Sequence, residues 1–170
     1  GSSMTEEHKA YFQGIGDATT DVDFGLQTGD FTDNPDSYVE WDNVLQTWSD
    51  VFAGRDFVRV IGNHEVYGTG AGNSLAILGM DAEEPDYYSV EYGEVYMAVI
   101  NQTADLNEAA EWLIKDAAET DCTWKVLSCH QPIYYSNPNG SNDGHHKVLK
   151  VACDAAGIDF TFSGHDHSYV

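Results

Sequence analysis

Short apolar runs alternate with amphipathic segments along this chain, and this alternation constrains the fold more than any other feature. The strand-like runs cover residues 23–30, 56–63, 86–101, 123–132 and 158–165. Apolar residues at helical spacing predict helices over residues 5–19, 35–52, 105–119 and 145–157. The run at 86–101 predicts a hairpin that turns at Gly93 and Glu94. Strands that alternate with helices predict a layered α/β fold.

The residues able to carry chemistry lie at the ends of the predicted strands. Four of the runs end in a carboxylate, an amide or an imidazole: Asp30, Asn63 with His64, His130, and His165 with His167. Loops that follow strands are where α/β folds place their sites. Carboxylate and amide oxygens together with imidazole nitrogens suit a divalent cation such as Mn, Fe or Zn. The pattern therefore predicts a metal centre at one edge of the sheet structure.

The charge balance narrows the classes of partner. The 170-residue chain carries a formal net charge of −22 with only 7 Lys and Arg residues. Such a chain repels phosphate backbones, which disfavours nucleic acid as a partner. A phosphorylated small molecule remains compatible if a bound metal supplies the positive charge. No apolar run approaches the ~20 residues that a membrane helix needs, so no membrane span is predicted.

Four motifs in order carry a resemblance to a known family. They are "GDFTD" (29–33), "GNHE" (62–65), "SCHQP" (128–132) and "GHDH" (164–167). Together they resemble the calcineurin-like metallophosphoesterases, and "GHDHSY" is similar to the purple-acid-phosphatase branch. The resemblance covers nearly the whole chain. It implies an α/β/β/α sandwich and metal-dependent hydrolysis of phosphate monoesters or diesters by a metal-bound hydroxide.

The resemblance also implies a role for each motif residue. Asp30 would bridge two metals. Asn63, His130 and His165 would complete the protein ligands of one metal, and His167 would bind the other. His64 resembles the family's catalytic histidine, which contacts the phosphate and assists departure of the leaving group.

The chain also departs from the family pattern. The Asp-x-His motif that opens the family is absent, and Asp17 follows no apolar strand, so it is a poor substitute. We therefore expect an incomplete core, truncated at the start and also at the end, with a weak or empty second metal site. Asp33 stands where purple acid phosphatases carry a tyrosine ligand, so we expect it to cap a loop or support the ligands. The alternative function is a metal-binding fragment without turnover, or an oligomer formed through an exposed sheet edge.

Several features keep more than one interpretation. Residues 1–4 are interpreted as a tag remnant and residues 5–170 as one domain. His145 and His146 at a predicted helix start are typical of solvated or capping residues, although a role in a substrate loop stays open. The glycine-rich stretch at 68–72 favours a loop beside the site. The cysteine spacing favours free thiols, and neither the thiols nor the chain start decides between a cytoplasmic and a secreted protein.

Overall fold

The computed structural model describes residues 5–69, 71–80, 86–135 and 143–167. The helices are α1 (Glu6–Ala18), α2 (Tyr38–Val51), α3 (Ala71–Ile77), α4 (Leu106–Asp116) and α5 (Asp143–Ala156), with a short 3₁₀ helix at His64–Val66. The strands are β1 (Phe24–Gln27), β2 (Asp56–Arg59), β3 (Tyr87–Tyr92), β4 (Val95–Ile100), β5 (Trp124–Cys129) and β6 (Phe160–Phe162). Every predicted element is present in this order. The strands that end at the predicted site are shorter than their apolar runs.

Local side-chain chemistry sets where the helices begin. Thr5 caps α1, with reciprocal hydrogen bonds between Thr5 and His8. Ser37 caps α2 through the backbone N–H of Glu40. The carboxylate of Asp105 accepts the backbone N–H groups of Asn107 and Glu108 at the start of α4. Such caps satisfy donors that have no partner within the helix, and each typically stabilises a helix by about 1 kcal/mol.

The strands form two sheets. One has two parallel strands, β1 and β2, with Leu26 opposite Val58. The other has the order β3-β4-β5-β6, in which the predicted hairpin β3–β4 is antiparallel and the pairs β4–β5 and β5–β6 are parallel. Parallel pairing needs a crossover, and α4 and α5 supply the two crossovers.

Alternation along β4 explains the layers, because successive side chains of a strand point to opposite faces. Tyr96, Ala98 and Ile100 pack against the buried faces of α4 and α5. Met97 and Val99 face the other way and pack with Val58, Val60 and Val126, beneath the two-stranded sheet. A third cluster covers the outside of that sheet: Phe31, Trp41, Ile61 and Leu78, with Trp48 of α2 against it. The order is helices, sheet, sheet, helices, so the expected α/β/β/α sandwich is confirmed.

We call residues 5–80 the two-stranded half and residues 86–167 the four-stranded half. An apolar cavity of about 400 Å³ lies in the two-stranded half between α1, α2 and β1. Cys129 and Cys153 are buried in the four-stranded half and Cys122 is partly buried, all three as free thiols. In the described ranges, no helix is both long enough and apolar enough to cross a bilayer.

Candidate metal centre

Four side chains from four separate strand-end segments meet at the seam between the halves. The Nε2 atom of His130 lies 3.2 Å from Oδ2 of Asp30 and 2.9 Å from Oδ1 of Asn63. The Nδ1 atom of His165 lies 2.9 Å from the same Asn63 oxygen and 3.2 Å from Nε2 of His130. Sequence reasoning named all four residues, and the fold places each of them within 3.2 Å of at least one other.

Neighbouring groups determine which atoms face the cluster. The Nδ1–H of His130 donates to the carbonyl oxygen of Thr28 at 2.7 Å, so Nε2 of the neutral ring presents a lone pair. The amide nitrogen of Asn63 donates to the hydroxyl of Tyr67 at 2.6 Å, so Oδ1 points inward. Metal-ligating histidines commonly donate their second ring N–H to a carbonyl in this way. The centre therefore gathers electron-pair donors around one point.

The spacing of these atoms fits a divalent cation. Ligand atoms about 2.1 Å from a shared metal lie roughly 3.0–3.4 Å apart, for angles between 90° and tetrahedral. The four separations, two of 2.9 Å and two of 3.2 Å, lie close to the octahedral end of that range. Asp30, His130 and His165 each direct one ligand atom to within 4.8 Å of the others. An adjoining cavity of about 230 Å³ gives access to the cluster.

Backbone geometry at the strand ends explains the glycines. A Cβ atom on Gly62 would lie 2.5 Å from Oδ1 of Asp30, and one on Gly29 would lie 2.6 Å from Nδ1 of His130. Gly29 also has φ +94°, and Asp30 after it has φ +57°, a conformation that a non-glycine residue seldom adopts. Such backbone conformations concentrate at functional sites, where the surroundings impose them.

The segment around His165 and His167 is not extended, contrary to the expectation that alternate residues of a strand share a face. Strand β6 ends at Phe162, and both histidines have positive φ angles, +66° and +51°. The turn places His165 in the cluster. His167 is exposed and lines the adjoining cavity together with Asp30. Its assignment as a ligand of a second metal therefore stays a prediction.

Glu65, a buried carboxylate, holds the backbone of the loops that carry Asp30 and Asn63. Sequence reasoning did not single it out. Glu65 is fully buried and accepts the backbone N–H groups of Asp30 (2.8 Å), Phe31 (2.7 Å) and Gly62 (2.9 Å). Burial raises the pKa of Glu65, although these three donors oppose the shift. Glu65 thus joins the two loops that carry Asp30 and Asn63. The only sequence signal was its place directly after Asn63 and His64.

Asp30 and His130 each shift the pKa of the other toward its charged form. Burial alone would raise the pKa of Asp30, but hydrogen bonds from His130 and from the backbone of His64 lower it overall. Burial alone would lower the pKa of His130, but the hydrogen bonds to Asp30 and Thr28 and the charge of Asp30 raise it overall. The site thus favours an ionised carboxylate and attracts positive charge, whether a proton or a metal.

His64 lies next to the four-residue cluster. Its backbone N–H donates to Oδ1 of Asp30 at 3.1 Å, and its Nε2 lies 4.0 Å from Oδ2 of the same residue. Its Nδ1–H donates to the backbone carbonyl of Asp33 at 2.8 Å, which turns Nε2 toward the site. Asp33, expected to cap a loop or support the ligands, thus supports His64 through its main chain.

The structure also locates the residues whose roles stayed open. His145 is buried, and its pKa is lowered by burial and by the charges of His130 and His165, so it lies near the centre rather than in solvent. The side chain of His146 lies outside the described part. The ring of Tyr135 lies 6.0 Å from that of His165. In the glycine-rich stretch, Thr69 donates from its hydroxyl to Asp36.

Comparison with known proteins gives concordant results. A family model described as calcineurin-like phosphoesterase matches residues 5–169. Purple acid phosphatase 22 and purple acid phosphatase 18 of Arabidopsis thaliana are 29% identical over 93 residues and 28% identical over 91 residues. Each alignment covers 49% of this chain, which spans only 21% of either relative.

A solved structure gives the fold independently. Purple acid phosphatase PPD1 from yellow lupin (Lupinus luteus) seeds superposes with a TM-score of 0.76 over 93% of this chain. The match covers 33% of the lupin chain at 19% identity. At that identity the likeness establishes the shared sandwich fold.

Proposed function

The chain belongs to the calcineurin-like phosphoesterase family, and on that premise we propose that it hydrolyses phosphate esters with the help of a divalent metal. One observation carries the proposal: Asp30, Asn63, His130 and His165 direct oxygen and nitrogen atoms to one point at ligand spacing. We propose Mn, Fe or Zn as the metal, since carboxylate, amide and imidazole donors suit these ions.

A divalent cation held there would supply Lewis acidity, which polarises a phosphate ester and makes water a nucleophile at neutral pH. The chain's own residues would orient the ligand atoms and supply a proton. His130 is held by Thr28 so that Nε2 faces the cluster. His64 is held by the Asp33 carbonyl so that Nε2 faces the same space. From this position His64 would hold a proton for the oxygen of the leaving group, the role of a general acid.

A second candidate function follows from the second metal position. Asp30 and His167 line the adjoining cavity, and we propose them as its ligands. Two protein ligands hold a cation weakly compared with the four at the first position. The alternative is therefore a chain that binds one metal and does not turn over substrate.

We propose a small phosphate ester as the substrate. The net charge of −22 would repel a polyanion, which argues against nucleic acid. Small-molecule monoesters and diesters both remain compatible with the site. The chain spans about a fifth of the curated relatives, so activity and substrate remain proposals for this chain.

A partner surface is proposed at the open side of β1. Within the described ranges, β1 pairs with β2 alone, so its other edge has no strand beside it. The unpaired edge of a strand presents free backbone N–H and C=O groups, which can pair with a strand of another chain. We propose that copies of this chain associate there. A concentration-dependent sedimentation coefficient would support this, and a monomer at the highest soluble concentration would refute it.

Metal content and turnover, measured on the same sample, test the function. The chain is loaded with Mn, Zn or Fe, freed of excess metal by gel filtration, and analysed by mass spectrometry. It is then assayed on p-nitrophenyl phosphate and on bis-p-nitrophenyl phosphate. Bound metal with turnover that falls sharply in His64→Ala, at unchanged metal content, supports the proposal. One metal per chain without turnover favours the alternative, and no bound metal refutes both.

A further inference from the structure

A tyrosine outside the four motifs contacts two residues of the centre. Tyr67 directly follows the 3₁₀ helix that carries His64. Its hydroxyl lies 2.6 Å from the amide nitrogen of Asn63, and its ring lies 5.2 Å from the ring of His64 at an interplanar angle of 51°. The side chain is 51% exposed, so it borders solvent while its hydroxyl reaches inward.

The contact with Asn63 matters because a primary amide has two unlike ends. The oxygen accepts hydrogen bonds or binds a cation, whereas the NH₂ group only donates. Asn63 is buried, so its NH₂ group needs a partner from the protein, and the Tyr67 hydroxyl oxygen provides one. If the amide were reversed, the NH₂ group would point at Nε2 of His130 and Nδ1 of His165. Donor hydrogens would then occupy the place of the cation.

We propose that Tyr67 is a positioning residue, which keeps the oxygen of Asn63 directed at the metal. The inference rests on the proposed function, because it takes Asn63 as a metal ligand. When the Asn63 oxygen faces a cation, its NH₂ group faces Tyr67, so removing the hydroxyl leaves this buried donor without its acceptor and makes the binding orientation more costly. Changes to partners of metal ligands typically lower metal affinity about 10- to 100-fold.

The test compares Tyr67→Phe with the control Tyr38→Phe, which removes a hydroxyl from a tyrosine that is 72% exposed at the start of α2. Zn²⁺ affinity is measured by competition with a chelating dye, and Co²⁺ is used as a spectroscopic probe of the ligand set. Tyr67→Phe should lower Zn²⁺ affinity about 10-fold and shift the Co²⁺ absorption bands. Tyr38→Phe should match the wild type in both measurements.

A second background separates positioning of the amide from a general structural effect. In Asn63→Ala neither the ligand oxygen nor the NH₂ group is present, so Tyr67 has no amide to orient. Tyr67→Phe should therefore cost little or no further affinity in that background. An equal loss in both backgrounds would overturn the inference, as would wild-type affinity in Tyr67→Phe alone. A wild-type chain that binds neither Zn²⁺ nor Co²⁺ would overturn the proposed function and this inference with it. Normal binding that is insensitive to Tyr67→Phe would overturn only the inference.

Discussion

The two halves of the molecule contribute different chemistry to the centre from scaffolds of different strength. The two-stranded half supplies the oxygens of Asp30 and Asn63, from loops that follow strands of only four residues. The four-stranded half supplies the imidazoles of His130 and His165. Strand β5 ends in four successive buried residues, and His130 after it is 1% exposed. The imidazole of His130 thus follows a largely buried six-residue strand, whereas the oxygens follow four-residue strands, and the carboxylate of Glu65 joins their loops.

The two halves meet where Thr28 of the two-stranded half contacts His130 and Gly164 of the four-stranded half, and this contact at the seam keeps the four site residues together. The carbonyl of Thr28 in the two-stranded half accepts the Nδ1–H of His130 in the other half. A Cβ atom on Gly164 would come within 3.0 Å of that same carbonyl oxygen, so the backbones are nearly in contact there. A metal bound at the seam would join the halves further. We expect it to stabilise chiefly the half with the smaller core.

His130→Ala should have the largest effect, because this residue contacts Asp30, Asn63 and Thr28 at once. The variant loses a ligand and the hydrogen bond across the seam. We expect Zn²⁺ affinity to fall by more than the roughly 100-fold seen for changes outside the ligand shell. Isothermal titration checks this, with His8→Ala at the start of α1 as a histidine control. Retained binding in His130→Ala would mean that the oxygens of the two-stranded half suffice without the imidazole.

The sequence predicted the layers of the fold better than it predicted where the individual strands end. The layered α/β class followed from the alternation of strands and helices, whereas the α/β/β/α order was implied by the family resemblance. Strand β4 shows how the layers form, since its odd and even residues bury on opposite faces. The sequence pattern placed the ends of β1 and β2 about three to four residues too far along the chain. At Gly29 and Asp30 the positive φ angles end the extended backbone although the apolar run continues to that point.

The site could be predicted from the order of its motifs, but its supports could not. Glu65 bonds to residues 34 and 35 positions away, and no local pattern encodes such a contact. Tyr67 lies outside the recognised motif, and only the folded loop brings it to Asn63. The spacing of His165 and His167 predicted an extended segment, and that prediction was wrong. Two residues at alternate positions match a strand pattern, but their spacing does not show whether φ is negative or positive.

A matched pair of leucines tests the difference in core strength. Leu127 is 0% exposed in the main cluster of the four-stranded half, and Leu78 is 4% exposed in the smaller cluster outside the other sheet. Burial differs little, so the surroundings decide how much each truncation costs. We expect Leu127→Ala to cost toward the upper end, and Leu78→Ala toward the lower end, of about 2–5 kcal/mol in the free energy of unfolding. Urea denaturation measures both, and equal losses would contradict the comparison.

Metal addition should stabilise the halves unequally. At a free cation concentration about 100 times the dissociation constant, binding adds roughly 2.7 kcal/mol to the free energy of unfolding. If the two-stranded half opens separately, amide exchange should slow most at Asp30, Phe31 and Gly62 and least at the centre of β5. Hydrogen exchange followed by mass spectrometry resolves the two regions. Equal slowing throughout would show that the chain opens as one unit.

Glu65→Gln tests the local hydrogen bonds that hold the oxygens. Glutamine keeps the shape of the side chain but replaces one acceptor oxygen with a donor NH₂ group. That group would face backbone N–H donors, so at least one buried donor loses its partner. We expect a loss of about 1–3 kcal/mol in the free energy of unfolding.

The matched control for Glu65→Gln is Glu108→Gln, on an exposed position in the first turn of α4. It should leave stability nearly unchanged. Added Zn²⁺ should recover part of the stability that Glu65→Gln loses, since the metal holds the same loops. A neutral effect of Glu65→Gln would mean that the oxygens are held without this carboxylate.

Thiol labelling gives the smallest signal but reports directly on the four-stranded half. Burial raises the pKa of Cys129 to about 12 and that of Cys153 to about 11. Because the thiolate is the reactive form, both should stay unlabelled by iodoacetamide at pH values well below 11, while the partly buried Cys122 reacts. Removing metal with a chelator should leave this pattern intact, since both protected thiols belong to the core around α4 and α5. If the chelator exposed Cys129, the metal would be holding the stronger half together as well, and the contrast between the halves would fail.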